Sequence, residues 1–100
     1  MKIVKFYKQN VLVFEKSPRK NKKYRVSIIT PNDDKQTVDF GAIRYQHFRD
    51  KIGLFSHLDH LDTNRRQKYL TRSTKIKNKQ GELTANILFS PNWFSINFLW

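Results

Sequence analysis

The stretch "KIVKFYKQNVLVFEK", Lys2–Lys16, settles the fold class. Ile3, Val4 and Phe6 precede a polar pair, Gln9-Asn10, and Val11, Leu12, Val13 and Phe14 follow it. β-branched and aromatic residues on both sides of a short polar break favour two strands over a helix. Working outward, "SPRKNKK" at Ser17–Lys23 reads as an exposed loop, because Pro18 stops strand pairing and the charges resist compaction. "YRVSIIT", Tyr24–Thr30, reads as a further strand with Tyr24, Val26 and Ile28 on one face. "PNDDKQ" at Pro31–Gln36 is turn-rich, and "TVDFG", Thr37–Gly41, returns as a strand.

The character changes after Gly41. Arg44–Phe55 scatters Tyr45, Phe48, Ile52, Leu54 and Phe55 among polar residues, with Gly53 as a breaker, and is expected to be irregular or a short helical turn. Asp59 or Asp62 then offers a cap for a helix over "TNRRQKYLTRS". On that helix Arg65, Tyr69 and Arg72 share a face, and Arg66 and Leu70 lie on the next one. "KNKQGE", Lys77–Glu82, is an exposed turn. "SPNWFSINFLW" has Ser90 as a cap and Pro91 at the first helical position. The expected fold is therefore α+β: a small antiparallel sheet of three to four strands, a basic helix and a short C-terminal aromatic helix. A chain of 100 residues is expected to form a single basic domain over 1–100.

Charge points to the partner. Twenty Lys+Arg against eight Asp+Glu leave a net charge of +12, which attracts polyanions. The charge is also blocked. Met1–Arg25 holds nine cations and one acid, Val26–Asp62 four cations and six acids, and Thr63–Lys79 seven cations and no acid. Cations interleaved with flat rings suit nucleic acid, which offers phosphates and bases. The expected phosphate contacts are Lys20, Lys22, Lys23, Arg65, Arg66, Arg72 and Lys75. The absence of cysteine removes disulfides and thiolate metal sites. No apolar run approaches the ~20 residues of a membrane span. The N-terminus has Lys every third residue and no apolar core, so it is not expected to be a secretory signal.

Two stretches imitate known chemistry. Asp39-Phe40-Gly41 matches the metal-binding triplet of protein kinases, but that triplet works only beside a phosphate-covering loop, a strand lysine and a catalytic-loop aspartate. The expectation is a strand end with Phe40 in the core. His57, Asp59, His60 and Asp62 in "HLDHLD" carry ligand chemistry for zinc or iron. His47 is the only other histidine, and a helix entrance already favours aspartate, so no metal site, cofactor, small-molecule substrate or catalytic residue is expected here. The tail carries Trp93, Phe94, Phe98 and Trp100 without a charge, and these are expected to dock on the sheet or on a partner.

The pieces "SPRKNKKYRV", "VDFG", "HLDTNRRQKYLTR", "NKQGELT" and "SPNWFSINFLW" occur in an order that resembles a family of small basic proteins of unassigned function encoded by nucleocytoplasmic large DNA viruses, including the giant viruses of algae and amoebae. They cover most of the chain from Ser17 onward. The family's helix ends Tyr-x-x-Arg-His, where this chain has Ser73. Its tail carries Ser-Arg or Ser-Lys before Leu-Trp, where this chain has Ser95-Ile96-Asn97-Phe98. The resemblance implies a viral origin and a small α+β module, without an activity. The expected function is non-enzymatic nucleic-acid binding in a virion or virus factory. The alternatives are a minor capsid or cement protein of such a virus, with capsid proteins as partners, and an accessory subunit of a large ribonucleoprotein such as an organellar ribosome.

Overall fold

The computed structural model describes all 100 residues, Met1–Trp100, and the fold is α+β. The chain forms two compact units, Met1–Ile43 and Arg44–Trp100.

The first unit is a four-stranded antiparallel meander whose strands neighbour one another in chain order. They are β1 (Ile3–Tyr7), β2 (Asn10–Lys16), β3 (Lys22–Ile29) and β4 (Lys35–Ala42). The first hairpin turns at Lys8-Gln9, one residue before the polar pair expected from the sequence, because Tyr7 pairs with Asn10. Lys8 takes a positive φ of 55°, and Asn10 Nδ2 donates to the Tyr7 carbonyl at 3.3 Å to close the turn. The strands also run longer than the apolar letters imply. β3 starts at Lys22 and β4 at Lys35, since ladder hydrogen bonds tolerate a lysine whose ammonium reaches water.

Alternation assigns the two faces. Leu12, Phe14, Tyr24, Val26, Ile28 and Phe40 lie on one face and are all buried. The register places Phe14 opposite Val26, and Tyr24 opposite Phe40. Tyr24 and Phe40 stack at 5.5 Å, and Phe14 meets each of them edge-on. The other face carries a row of alternating charge. Lys2 lies 3.8 Å from Glu15, Glu15 pairs with Arg25 in the ladder, and Arg25 forms a two-pronged bond with Asp39 at 3.0 Å each. Further along that face Val4 and Phe6 are 54% and 74% exposed.

The second unit begins irregularly, then carries α1 (Thr63–Ser73) and α2 (Pro91–Phe98), with 3₁₀ turns at Ser56–Leu58 and Thr84–Asn86. Asp62 is the cap of α1 and accepts from the N–H groups of Asn64 and Arg65. Ser90 caps α2 by accepting from Trp93 N–H, and its hydroxyl donates to the Thr84 carbonyl. Both helices start where the capping residues place them, because each cap satisfies donors that the first turn leaves orphaned.

The two faces of the meander differ in what a truncation costs. Phe40→Ala is expected to lose about 3–5 kcal/mol, and Phe6→Ala less than about 0.5 kcal/mol. Urea unfolding followed by circular dichroism measures both; equal losses would contradict this assignment of faces.

Candidate nucleic-acid interface

Helix α1 has little apolar surface with which to hold its place. Tyr69 and Leu70 are half-buried and Ser73 is buried, so this edge faces inward. Three contacts fix it. The Tyr69 ring stacks on Trp100 at 4.0 Å, within 7° of parallel. Arg66 Nε donates to the Trp100 carbonyl at 2.8 Å, and its guanidinium lies 5.3 Å over the Phe48 ring. Asn92 Nδ2 donates to the Ser73 carbonyl at 2.8 Å, which joins the end of α1 to α2.

With that edge inward, the remaining cations face water. At about 100° per residue, Arg65, Lys68 and Arg72 fall within an arc of about 60° and extend over about 10 Å of helix. Lys75 follows just beyond the last turn, where its N–H bonds to the Arg72 carbonyl. Arg65 donates to Gln46 Oε1 at 2.9 Å. Lys68, Arg72 and Lys75 have neither a hydrogen-bond partner nor an ion pair for their side chains. Like charges three and four apart on a helix repel by a few tenths of a kcal/mol per pair, about 0.2–0.5. An anion laid along the stripe relieves that repulsion.

The sequence-predicted contacts thus separate. Arg65, Arg72 and Lys75 belong to the stripe. Arg66 does not, because its guanidinium is held by Trp100 and Phe48. Lys68 completes the stripe and was overlooked; its three- and four-residue spacing from Arg65 and Arg72 is the signal that identifies it. In the first unit Lys20 is exposed in the β2–β3 connection, and Lys22 is half-buried at the start of β3. Lys23 is a correction. It is 2% exposed and lies inside β3 rather than in the loop, so it is not a solvent-facing contact, and the exposed part of the connection is Pro18–Asn21.

Within their own unit the tail residues pack on one another. Phe94 is fully buried and stacks with Phe89 at 5.7 Å, while Trp93 meets Phe89, Phe94 and Phe98 edge-on. Trp100 is taken by Tyr69. Every carbonyl from Asn97 to Trp100 is also occupied. Asn97 accepts from Lys51 Nζ, Phe98 from Lys51 N–H, Leu99 from Arg49 N–H and Trp100 from Arg66.

The stretches that imitate catalytic chemistry make structural contacts. Asp39 is held by Arg25 and by the Ser17 hydroxyl at 2.8 Å, Phe40 is core, and Gly41 turns with φ of 80°. The Arg25 bond keeps the Asp39 carboxyl below the usual range and raises the Arg25 guanidinium, with Ser17 adding to the first effect. In "HLDHLD" the four side chains go separate ways. Asp59 Oδ1 lies 2.6 Å from Nε2 of the fully buried His47 and accepts from Asp50 N–H at 2.8 Å. Asp62 caps α1, and His60 Nδ1 accepts from Asp62 N–H at 2.9 Å. His57 is exposed against Phe55. No three His, Asp or Glu side chains converge as a metal site would require.

Residues 12–73 match the model of a family of unknown function, DUF5754. The chain belongs to that family. The DUF5754 span contains β3, β4, the His47–Asp59 pair and all of α1, while β1 and α2 lie outside it. No curated protein and no solved structure matches the chain.

His60 gives this region a measurable pH response. Burial lowers its imidazole below the ordinary value, and Arg65 adds to the effect. Above about pH 6.5 the ring is neutral folded or unfolded and costs nothing; as pH falls through that value the unfolded chain takes the proton first. Stability should therefore decline from about pH 6.5 downward and level off below the folded pKa. Histidine ring signals followed by NMR should place the His60 titration below about 6.5, and His60→Phe should remove that part of the decline in thermal midpoint. A His60 midpoint above the ordinary value would overturn this.

Proposed function

We propose that this protein is a non-enzymatic nucleic-acid-binding module and that α1 presents the cations that meet the phosphates. The observation carrying this reading is the outward stripe of Arg65, Lys68 and Arg72 on a helix without an acid, continued by Lys75 just beyond its last turn, with three of the four cations unpaired. A merely solvated helix face gains from mixed charge, which supplies pairing at three- and four-residue spacing. This face forgoes that gain and keeps a charge density suited to a polyanion. Lys20, described by itself in the other unit, is also a solvent-facing cation. The resemblance to small basic proteins of large DNA viruses supplies the setting, a virion or virus factory.

A second reading is a structural subunit of a larger assembly, such as a minor capsid or cement protein. The exposed Val4 and Phe6 on the β1 side of the sheet favour it, since exposed apolar sheet surface commonly marks a protein contact. An accessory role in a ribonucleoprotein would use the same α1 stripe against folded RNA.

Salt separates the nucleic-acid readings from the capsid or cement one. If four phosphates are contacted, log K should fall against log salt with a slope of roughly −3.5, and Lys68→Gln with Arg72→Gln should flatten that slope by roughly 2. Fluorescence anisotropy with a short labelled oligonucleotide measures both. A slope near zero, or a double variant that binds as tightly as the parent, overturns the proposal.

A further inference from the structure

β1 is an edge strand, with β2 on one side and no strand on the other. The register shows which backbone groups this leaves open. Tyr7 and Asn10 flank a two-residue turn in which Lys8 alone has a positive φ, as in a type II′ hairpin. In such a hairpin the flanking pair exchanges both ladder hydrogen bonds, and the exchange recurs at every second pair. Tyr7, Lys5 and Ile3 therefore bond to β2, opposite Asn10, Leu12 and Phe14. Val4 and Phe6 turn their N–H and C=O groups the other way, toward the open edge.

The same two residues carry the exposed apolar side chains of the strand. They stand on the face away from the core, beside the half-buried Val13 and Val11 of β2, so an apolar row runs out to the edge and stops there. Lys2, loosely held 3.8 Å from Glu15, and Lys8, 5.6 Å over the Tyr7 ring, bracket it. Lys5 lies between them, and no acid occurs from Met1 to Phe14.

We infer that the β1 edge takes an extended acidic segment of another protein as a fifth, antiparallel strand of the sheet. Two residues of that segment, two positions apart, exchange hydrogen bonds with Val4 and Phe6 and lay apolar side chains beside theirs. Asp or Glu at either end meets Lys2 and Lys8. Charge selects this occupant over a second copy. A copy paired through the same edge, with Val4 opposite Phe6, sets Lys2 opposite Lys8 and Lys5 opposite Lys5, and like charges directly opposite are destabilising. An acidic segment turns the repulsion at both ends into attraction. Neither α1 nor a nucleic acid takes part in this contact, so its failure leaves the α1 reading intact.

The test uses the full chain and a blocked seven-residue peptide with Glu at both ends, Val at its third and fifth positions and Thr elsewhere. Hydrogen exchange followed by NMR should show the Val4 and Phe6 amides slowed at least about ten-fold by saturating peptide. The same peptide with both valine amides N-methylated should neither bind nor protect, and Lys in place of Glu should weaken binding at least about ten-fold. Val4→Thr with Phe6→Thr keeps strand-forming residues, so the thermal midpoint should hold while the peptide binds roughly ten-fold more weakly. Unchanged exchange at Val4 and Phe6 overturns the proposal. So does an N-methylated peptide that binds as well as its parent, since the contact is then charge attraction alone. Amides protected without peptide, and more so as protein concentration rises, also overturn it and assign the edge to a second copy.

Discussion

Two carboxylates organise the second unit. From Arg44 to Asp62 the chain has no regular element except one 3₁₀ turn, and its backbone donors still need partners. Asp50 supplies two, accepting from the N–H groups of Ile52 and Phe55 at 2.8 Å each. Asp59 then fixes Asp50 itself through the Asp50 N–H, and binds the buried His47 with the same oxygen. Backbone bonds from His47 N–H to the Leu58 carbonyl and from His60 N–H to the His47 carbonyl hold the two stretches of this segment side by side. Everything downstream takes its starting point from here. Asp62 can cap α1, and Phe48 can lie under Arg66, only because the preceding segment holds one course. Breaking one partner of such a buried pair leaves an uncompensated polar group, which costs far more than the pair contributes.

How far the letters reveal this differs by element. The meander is legible because alternation is a local signal: Tyr24, Val26 and Ile28 mark a buried face without help from elsewhere. Both helices are legible through their caps, Asp62 and Ser90, which act on donors two and three residues away. The strand starts at Lys22 and Lys35 are not, because a lysine in a ladder looks like a lysine in a loop. Nor is the use of Asp59. Its partner His47 is twelve positions earlier, and nothing in the local pattern distinguishes a buried anchor from a metal ligand. The candidate interface is half legible. Clustered charge singles out Arg65 and Arg72, but the distinction between Arg66 and Lys68 depends on which edge of α1 the Trp100 ring covers.

α1 therefore serves two opposed demands with few residues. Its inner edge is made of one ring, one leucine, one serine and the stem of an arginine, a narrow attachment for an eleven-residue helix. Polar contacts make up the difference, with Arg66 and Asn92 each reaching a backbone carbonyl. Apart from the Arg65–Gln46 bond, the outer edge is left free of internal duty. A helix anchored mainly by hydrophobic area would need more of its circumference inside, and fewer cations would remain to face a partner.

The edge strand β1 carries a consequence for how the protein behaves at high concentration. Its outer backbone groups have no neighbouring strand, and Val4 and Phe6 stand exposed beside them. Lys2, Lys5 and Lys8 punctuate the same strand and its turn, and mutual repulsion between such edges is what keeps one chain from adding to the next. That repulsion is a colloidal property rather than a contact, and it is only as long-ranged as the solution allows. At 1 M salt the screening length falls to about 3 Å, shorter than the gap across which two approaching lysines act. High salt thus lowers the barrier guarding β1, and the protein is then at its most self-associating.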